Sequence, residues 1–479
     1  MAKFNGTATI KIENQCGHVA YRMDDKSKLI TQVLTSFFNE NKFYGDNSTE
    51  MQKMIQSVIK TDPEFVSKLA VYARRVFNMR SVSHVLTAYL AHETEGKPFT
   101  RQTVRGVCLR GDDVTEMMSF YIANFGKPIP QSLIKGIADV LTGFDEYTLS
   151  KYAGTKKSVK MKDLIILCHP KPKNEAQADL FKRCIEGKLE TPVTWETELS
   201  ANGNNAETWE KLIDSGKVGY MALLRNLRNI IKANPANIEK VFSTIENPEA
   251  VRRSKQLPFR FLSAYKSILD ITGSRALDAL ENAVEASVNN MQKLSGTTVI
   301  AIDISGSMAD KISAKSEMRC YEIAMLLGMI ANRLCENSIV YTFDTTIRKL
   351  PVYSKAGILL SATNNNFCGG GTNMALPFQK MIDDNIKADR IIVLSDNECN
   401  DGITWYNHKS VQSLADEYRR ISGQNIWVHA IDLQGYGTQQ FHGEKTNIVA
   451  GWSEKVFDFI HLAEQGKGSL ETAIKNYTW

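Results

Sequence analysis

The sequence has no apolar run long enough to cross a bilayer, and its opening residues, Met1 to Ile10, carry neither the apolar core nor the cleavage site of a signal peptide. Its eight cysteines are scattered, and none stands in the Cys-x-x-Cys spacing of a zinc site or a redox centre. The first absence argues against a membrane partner, and the second predicts reduced, mostly buried thiols. We therefore expect a cytoplasmic protein.

The chain as a whole also lacks a large excess of positive or negative charge. The net charge of the 479 residues is only +5, and 43% hydrophobic with 23% charged residues is an ordinary globular balance. Residues 1–294 nevertheless hold 41 Lys+Arg and 33 Asp+Glu (41 − 33 = +8). The remainder holds 58 − 41 = 17 basic and 53 − 33 = 20 acidic residues, a balance of −3. A polyanionic partner is therefore expected on the N-terminal part.

The length exceeds one compact core, so we expect two or three domains. From about Lys28 to Asn290, apolar residues recur at three- and four-residue spacing, which predicts helices almost throughout. The clearest are predicted at 51–60, 62–76, 82–92, 114–124 and 131–141. Residues 185–208, with several Gly and Asn, predict an irregular insertion or a long loop. Repeated helix pairs without strands indicate an α-solenoid.

Short β-branched runs replace this pattern after a transition near residues 292–297. The runs begin at Thr298, Ser338, Arg390 and Asn425, with helical segments predicted at 316–335, 374–384 and 410–421. Alternating strands and helices predict a doubly wound parallel sheet whose ligands bind beyond the carboxyl ends of the strands. The predicted organisation is a helical-repeat domain of residues 1–292 followed by an α/β domain of residues 293–479.

Oxygen-bearing side chains follow three strand or turn ends of the α/β domain. They are Asp303, Ser305 and Ser307 after the first strand, Thr372 after three glycines, and Asp396 after the third strand. Carboxylates and hydroxyls suit a hard divalent ion, and we expect Mg²⁺, with Mn²⁺ or Ca²⁺ as alternatives. An isolated Asp-x-Ser-x-Ser motif is more often a helix cap. Here, however, it is followed in order by the loops that carry Thr372 and Asp396, and the three loops together predict one metal site.

The densest cationic segment lies between residues 151 and 173, where seven lysines face only one acid, Asp163. The lysines are Lys151, Lys156, Lys157, Lys160, Lys162, Lys171 and Lys173, and His169 stands among them. Closely spaced ammonium groups release counterions from nucleic acid, so the segment can form a phosphate-binding patch. On charge alone, a solvated helix face and loop explains it equally well, and a lone histidine is more often structural.

Several stretches resemble, in order, the TROVE-module proteins of the Ro autoantigen family. They are Leu133–Asp139, Lys162–Pro172, Met221–Leu227, Leu257–Phe261 and Ser395–Glu398, and the second is the most distinctive. The metal-site residues resemble the metal-ion-dependent adhesion site of the von Willebrand factor A fold. In that site the hydroxyls coordinate directly, the acids act mostly through water, and a partner carboxylate takes the open position. Asn397-Glu398 replaces the glycine that is usual there.

The resemblance, which spans essentially the whole chain, implies a ring of HEAT-like helix pairs closed by a C-terminal von Willebrand factor A domain. It implies a Y-type small non-coding RNA bound on the outer surface, and single-stranded ends of misfolded RNA accepted in a central hole. Lys151, Lys156 and His169 match positions that contact Y RNA in the family. Weaker candidates for the cavity and its rim, each explained more simply as a surface residue, are Arg225, Arg228, Lys135, Arg74, Arg75, Arg105 and Arg110.

The leading hypothesis is therefore a non-catalytic RNA-binding protein acting in RNA quality control or RNA chaperoning, without DNA specificity. An exoribonuclease such as polynucleotide phosphorylase is a further expected partner. The alternative is a metal-dependent protein-assembly adaptor whose helical half binds peptides. An enzyme, such as a nuclease using the metal, is disfavoured because no spare acid pair or histidine stands at suitable spacing and no nucleophile elbow surrounds Ser305.

Overall fold

The computed structural model describes residues 10–14, 19–35, 49–153, 158–190, 192–271, 273–289, 291–311, 317–351, 357–363, 369–399, 410–466 and 470–479. The chain divides into two compact units, one of residues 39–193 and 471–479 and the other of residues 1–38 and 194–470. The division at residue 292 separates segments by fold type, and it stays a prediction. None of the described helices is long and apolar enough to traverse a membrane.

Helices fill the described residues between 25 and 288, as predicted. The first nine are α1 (Asp25–Thr35), α2 (Thr49–Thr61), α3 (Pro63–Arg75), α4 (Ser81–His92), α5 (Lys97–Val107), α6 (Gly111–Phe125), α7 (Gln131–Leu141), α8 (Glu146–Ala153) and α9 (Met161–Cys168). The next eight are α10 (Glu175–Glu186), α11 (Trp195–Asn202), α12 (Ala206–Asp214), α13 (Tyr220–Ala233), α14 (Ile238–Glu246), α15 (Pro248–Ser254), α16 (Pro258–Ile268) and α17 (Ser274–Val288). Helix α7 has the bounds expected from the sequence.

The start of α3 shows how local chemistry sets these bounds. The Asp62 carboxylate accepts a hydrogen bond of 3.1 Å from the Phe65 amide, and Pro63 occupies the first turn, where its missing N–H is no loss. Phe65 and Leu69 are then buried where α3 packs against α4 and α5. The cap therefore sets where the helix begins, and the spacing of its apolar residues sets which face enters the core.

The prediction of an irregular insertion or a long loop at residues 185–208 is wrong. Helix α10 continues to Glu186, and Thr194 starts α11 through reciprocal hydrogen bonds with Thr197. Asn205 starts α12 by accepting a bond of 2.9 Å from the Thr208 amide. Residues with a strong preference for loops serve here as helix caps, because their short polar side chains satisfy the exposed amides of each helix start.

A six-stranded sheet forms the α/β part. Its strands are β3 (Leu294–Asp303), β4 (Cys335–Phe343), β5 (Ile347–Lys349), β6 (Arg390–Ser395), β7 (Trp427–Asp432) and β9 (Thr446–Ala450). The spatial order is β5-β4-β3-β6-β7-β9, and all neighbours are parallel except the β4–β5 pair. Central strand β3 pairs Ala301 with Tyr341 on one side and with Val393 on the other. The predicted parallel sheet is confirmed, with one antiparallel edge strand added.

Helices connect and cover these strands. They are α18 (Cys320–Leu334), α19 (Ile358–Thr363), α20 (Leu376–Asp383), α21 (Val411–Ser422) and α22 (Val456–Glu464). A further helix, α23 (Leu470–Lys475), follows them, and its residues from Glu471 onward belong to the other unit. Helix α18 lies on β3, β4 and β6, and the backbone of Gly328 comes so near that a Cβ there would stand 2.4 Å from Ile302 Cδ1. The missing side chain of Gly328 therefore lets the helix pack closely on Ile302, and a larger residue there would require Ile302 to move.

A second, three-stranded sheet was not foreseen. Its strands are β1 (Lys11–Glu13), β2 (Val19–Arg22) and β8 (Thr438–Gln439), in the order β1-β2-β8 with antiparallel neighbours. Tyr21 pairs with Gln439, and the Tyr21 ring packs edge-on against His442 at 4.3 Å between centroids. Strands of two to four residues give too short an alternation to be detected in a sequence.

Asp113 holds together the unit of residues 39–193 and 471–479. This fully buried carboxylate accepts hydrogen bonds from Arg74 Nη2 at 3.1 Å, from Arg80 Nε at 2.5 Å, and from the amides of Leu109 and Arg110 at 2.8 Å each. Burial alone would raise the pKa of Asp113, but His84 and the two guanidinium groups hold that pKa far below its ordinary value. The carboxylate is therefore ionised and saturated with donors.

We predict that Asp113→Ala lowers the free energy of unfolding by about 3–5 kcal/mol, because it leaves the buried Arg74 guanidinium without its partner. The matched control is Asp139→Ala, which breaks the exposed pair with Arg101 and should cost at most ~1 kcal/mol. Urea unfolding followed by circular dichroism measures both. Equal losses in the two variants would contradict the structural role of Asp113.

In the other unit, Glu464 joins a helix to two strands. Its carboxylate accepts hydrogen bonds from Arg390 at 2.6 and 2.9 Å and lies 3.0 Å from His429 Nε2, while Asn447 contacts the other ring nitrogen at 3.1 Å. Burial alone would raise the pKa of Glu464, but the bonds to His429 and Arg390 lower it to about 2. The ion pair therefore persists well into the acid range.

This depressed pKa has a definite pH signature. A carboxyl group whose folded-state pKa lies below its unfolded value of about 4.5 contributes stability above that pH and loses it as the pH falls toward 2. We predict that Glu464→Gln flattens the decline of the melting temperature between pH 5 and pH 2.5. Thermal unfolding across that range tests this, and an unchanged slope would show that other carboxylates set the acid sensitivity.

Candidate metal centre and cationic surface

Aspartates stand at the carboxyl ends of four neighbouring parallel strands. Asp303 and Asp432 are the last residues of β3 and β7, and Asp344 and Asp396 directly follow β4 and β6. All four residues are at least 98% buried. Because β4, β3, β6 and β7 lie side by side and run in the same direction, these carboxylates collect at one edge of the sheet.

The first predicted loop places a carboxylate and two hydroxyls together. Asp303 Oδ1 accepts a hydrogen bond of 2.8 Å from the Ser305 amide, and its Oδ2 accepts one of 2.5 Å from the Ser395 hydroxyl. The hydroxyl oxygens of Ser305 and Ser307 lie 3.3 Å apart. The alternation of side chains along the loop therefore brings these oxygen atoms to one side, and their role as metal ligands stays a prediction.

The other two predicted loops join the first through direct bonds. The Gly306 amide donates to the Gly370 carbonyl at 2.9 Å, which ties the first loop to the glycine turn before Thr372. The Cys399 thiol donates to the Thr372 carbonyl at 3.3 Å, and this ties the turn to the loop that carries Asp396. All five residues predicted as metal ligands thus belong to loops in mutual contact.

The buried carboxylates of Asp303 and Asp396 at this edge of the sheet favour the binding of a cation. Burial and the charge of Asp396 raise the pKa of Asp303 to about 7, and burial also raises the pKa of Asp396 although the Ser307 hydroxyl lowers it in part. Asp396 Oδ2 is buried and receives no hydrogen bond of normal geometry from a described residue. Two adjacent buried carboxylates with hydroxyl neighbours fit a hard divalent ion such as Mg²⁺.

Asp432 and Glu398 are members of this edge that the sequence analysis did not assign. Asp432 Oδ1 accepts hydrogen bonds from the amides of Gln434 and Gly435, whereas its buried Oδ2 has no partner among the described residues. Burial, with the charges of Asp396 and Glu398, raises the pKa of Asp432 to about 7. The signal was present, since Asp432 follows a β-branched run in the same way as Asp303 and Asp396.

A second group of ligand atoms occurs among the helices. His84, Asp113 and Glu116 place a nitrogen and two oxygens within 4.8 Å of one another. However, Arg80 already forms ion pairs of 2.5 Å with Asp113 and 2.9 Å with Glu116. A metal ion there would have to face or displace the guanidinium, so this cluster is better suited to its existing ion pairs.

The described part of the cationic segment lies around α9. Lys160 precedes the helix and His169 follows it, both exposed, with Lys171 exposed two residues later. His169 has a φ of +46°, a left-handed conformation that ends the helix. Neither Lys160 nor Lys171 forms an ion pair with a described residue, and Asp163 accepts a hydrogen bond of 2.9 Å from the backbone amide of Lys160. These charges therefore remain available to a ligand.

The remaining predicted contacts differ in their surroundings. Lys151, on α8, holds its ammonium group 5.6 Å from the ring centre of Tyr147 and 5.9 Å from that of Tyr152. Lys156 and Lys157 lie outside the described residues. Lys135 is exposed on α7. The exposed Tyr147, beside Lys151, is a surface aromatic that the sequence analysis did not consider.

Arg225 and Arg228 are both exposed on α13. Arg228 donates to the Ser267 carbonyl at 2.8 Å, which anchors it on α16. Arg74, by contrast, is buried in its pair with Asp113 and donates to the Val107 carbonyl at 3.0 Å. Arg74 thus serves the packing of its own unit, while the two arginines of α13 present charge to solvent.

The structure combines stacked helices with a parallel sheet, and the carboxyl edge of that sheet carries acidic and hydroxyl side chains. These features define a class: helical-repeat proteins that carry a von Willebrand factor A-type domain. The family model described as "TROVE domain" matches residues 13–187 and 182–330. The model described as "Ro60 vWA domain" matches residues 297–427. The chain belongs to the TROVE domain family, with a von Willebrand factor A domain of the Ro60 type.

The relatives that match this chain share a low sequence identity with it and are longer than it is. The chain is 25% identical over 325 residues to "Telomerase protein component 1" of Rattus norvegicus, covering 50% of this chain and 12% of that protein. It is 24% identical over 270 residues to "RNA-binding protein RO60" of Deinococcus radiodurans and 23% over 282 residues to that of Caenorhabditis elegans. These alignments cover 52% and 55% of this chain but only 49% and 43% of the relatives.

A solved structure supports the fold. The crystal structure of the Deinococcus radiodurans RO (RSR) protein superposes with a TM-score of 0.60 at 18% sequence identity. The superposition covers 86% of this chain and 93% of that one. At this identity the likeness establishes the shared arrangement of helices and sheet and not a shared ligand.

We predict that Mg²⁺ stabilises the protein and that Asp303→Asn abolishes this effect, because the variant removes one of two buried carboxylates. In metal-free buffer the variant should melt at or above the wild-type temperature, since its amide does not repel Asp396. At an Mg²⁺ concentration about 100 times the dissociation constant, the wild type should gain ~2.7 kcal/mol. Thermal unfolding with and without Mg²⁺ measures both effects.

Asp389→Asn is the matched control for this experiment. Asp389 precedes β6 at the opposite end of the strand, where it accepts a bond of 2.7 Å from the Thr297 amide. This variant should keep the full Mg²⁺ response. If Asp303→Asn responded to Mg²⁺ as the wild type does, the ion would have to bind elsewhere.

Proposed function

We propose that this protein binds RNA without catalysing a reaction on it. The observation that carries the proposal is the exposed surface at the two ends of α9, where Lys160 and Lys171 have no ion pair with a described residue and His169 is exposed beside them. On the neighbouring α10, by contrast, Arg183 pairs with Asp179 and Glu146. A surface that leaves its cations unpaired is suited to an external polyanion.

The chemistry of this surface matches structured RNA. RNA duplexes present phosphates and 2′-hydroxyls rather than readable base edges, so ammonium groups on a fixed scaffold recognise them by position and charge. We propose that Lys151, Lys156 and Lys157, which precede Lys160 in the sequence, also contact the RNA; Lys156 and Lys157 lie outside the described residues. We propose a Y-type small non-coding RNA as the ligand here. The two RO60 relatives are named as RNA-binding proteins, which supports RNA as the class of ligand.

We further propose that single-stranded ends of misfolded RNA bind at a second place, with Lys135, Arg225 and Arg228 as the contacts. Binding selected by a free end rather than by sequence would suit RNA quality control or RNA chaperoning, in which a recruited exoribonuclease such as polynucleotide phosphorylase degrades what is bound. The protein itself would act as the receptor for the RNA.

The metal centre has a separate role in this proposal. Asp303, Ser305, Ser307, Thr372 and Asp396 would hold a divalent ion, which supplies a Lewis-acidic position for a carboxylate of a protein partner. Asp303 is buried and held by the Ser305 amide and the Ser395 hydroxyl, so it is positioned as a ligand rather than as a general base. This arrangement favours binding over hydrolysis.

A metal-dependent assembly adaptor is the second function, and one observation favours it. Exposed apolar side chains, Ile166 at 51% and Leu167 at 37%, lie on α9 between the cationic ends and would suit a peptide. An adaptor would capture its partner only with Mg²⁺ and would not retain RNA. The absorbance ratio at 260 and 280 nm of the purified protein separates the two functions.

We predict that Lys160→Ala combined with His169→Ala weakens binding of a structured RNA by about tenfold. The slope of log K against log salt should become shallower by about 0.7–0.9 for each phosphate that the variant no longer neutralises. Fluorescence anisotropy at several salt concentrations measures both quantities. Lysines carry the effect through counterion release, so it should be largest at low salt.

The matched control is Lys211→Ala combined with Lys240→Ala, since both lysines are exposed and paired, with Glu207 and Asp214. This variant removes two positive charges from another surface and should bind RNA like the wild type. An equal reduction of affinity in both double variants would mean that net charge, and not the α9 surface, governs binding.

A further inference from the structure

A cleft of about 590 Å³ opens in the unit of residues 39–193 and 471–479. Helix α3 contributes Glu64, Lys68 and Arg75 to its walls, α5 contributes Arg105, and the segment after α23 contributes Tyr477 and Trp479. The volume falls within the range of roughly 300–1,000 Å³ that is typical of small-molecule sites. The cleft is therefore large enough for one compact ligand.

The charges of the cleft favour an anion. Three cationic side chains face one acid, and Lys68 is already bonded to Glu64 at 2.9 Å and to the Lys475 carbonyl at 2.6 Å. Arg75 uses only its Nε, which donates to the Gly106 carbonyl at 2.9 Å. That bond fixes the guanidinium and leaves its Nη groups without a hydrogen bond to a described residue. The Arg75 guanidinium is thus held in place by one bond while its Nη groups stay available to a ligand.

Arg105 is the second available guanidinium. It makes no hydrogen bond or ion pair with a described residue, and the acid that it influences, Asp139, has both carboxylate oxygens bonded by Arg101 at 2.7 and 2.8 Å. Its five N–H donors therefore remain for a ligand. Guanidinium groups bind phosphate oxygens in pairs, which makes phosphate the anion best matched to Arg75 and Arg105.

An aromatic surface lies beside these arginines. Trp479 stacks on Tyr477 with 6.2 Å between ring centroids and 19° between planes, and Tyr477 is held edge-on by Tyr72 at 5.1 Å. Trp479 is still 40% exposed. A Cβ at Gly106 would lie 2.9 Å from Trp479 Nε1, so the missing side chain lets the indole rest on α5. The ring is therefore supported on its protein side and accessible to a ligand.

We propose that this cleft binds a nucleoside 5′-monophosphate unit, with its base stacked on Trp479 and its phosphate on Arg75 and Arg105. An inorganic anion would use only the guanidinium groups, and a neutral aromatic compound only the indole, whereas a nucleotide uses both. The unit is either a free nucleotide or the 5′-phosphorylated end of an RNA. This inference does not depend on RNA binding at α9, since a free nucleotide carries the same two groups.

Calorimetric titration of the full chain with AMP, adenosine and inorganic phosphate tests the composite site. AMP should bind at least about tenfold more tightly than either of its parts, because one tenfold step corresponds to a single additional contact of this kind. Affinity for AMP that does not exceed affinity for phosphate would overturn the proposal and leave only an anion site.

Variants assign the two halves. Arg105→Gln should weaken AMP at least about tenfold and leave adenosine unchanged, whereas Trp479→Leu should weaken both. Trp479→Phe should restore stacking, which separates removal of the ring from a failure to fold. The matched control is Arg101→Gln, on the same helix but bonded to Asp139 outside the cleft, and it should bind AMP normally. Equal effects of Arg101→Gln and Arg105→Gln on AMP affinity would contradict the site.

A competition experiment decides whether the bound unit is a free nucleotide or the end of an RNA. It uses the Lys160→Ala, His169→Ala variant, in which RNA binding at the α9 surface is expected to be weakened. Displacement of AMP by a 5′-phosphorylated oligonucleotide, but not by its unphosphorylated form, would identify an RNA end. Binding of AMP without such competition would identify a free nucleotide. Wild-type AMP affinity in this background, without binding of structured RNA, would show that cleft and α9 surface are separate sites.

Discussion

The α/β part of the molecule depends on one constraint: four parallel strands must deliver four aspartates, Asp344, Asp303, Asp396 and Asp432, to the same dry edge. Carboxylates are costly to bury without a counter-charge, and each of these four accepts at least one backbone amide from the loop that follows its strand. The bond from the Gly306 amide to the Gly370 carbonyl ties two of the loops together beside them. A sheet built only for stability would have apolar residues at these strand ends.

The helical segments follow the opposite rule for charge. Where cations serve packing or helix stability they are paired, as Arg74 is with Asp113 and Lys211 with Glu207 four residues earlier. Lys160 and Lys171 at the ends of α9, and Arg105 on α5, have no ion pair with a described residue. Like charges on one surface repel one another slightly, and an anionic ligand bound there would relieve that repulsion.

Residues that act locally were predictable from the sequence. Asp62 and Pro63 fixed the start of α3, and β-branched runs ending in Asp303 and Asp396 located the sheet and its acidic edge. Features that need distant partners were not predictable. Thr194 and Asn205 look like loop residues until a helix follows them, and β2 acquires its partner β8 from more than 400 residues away.

Asp432 was missed for a related reason. A single aspartate after a strand is common, and only its neighbour Asp396 in the folded sheet makes it part of a site. The Trp479 cleft likewise joins residues of α3 and α5 with a segment nearly 400 residues later in the chain. The sequence carried the chemistry in both cases, but the fold supplied the proximity.

The pairing of β2 with β8 also imposes an order of events during synthesis. Tyr21 leaves the ribosome 439 − 21 = 418 residues before its partner Gln439, which at ~5–20 residues per second is a delay of roughly 20–80 s. Until Gln439 has been made, the edge of β2 has no β8 to pair with, and an uncovered strand edge can pair with other chains. The three-stranded sheet is therefore among the last parts of the described structure that can be completed.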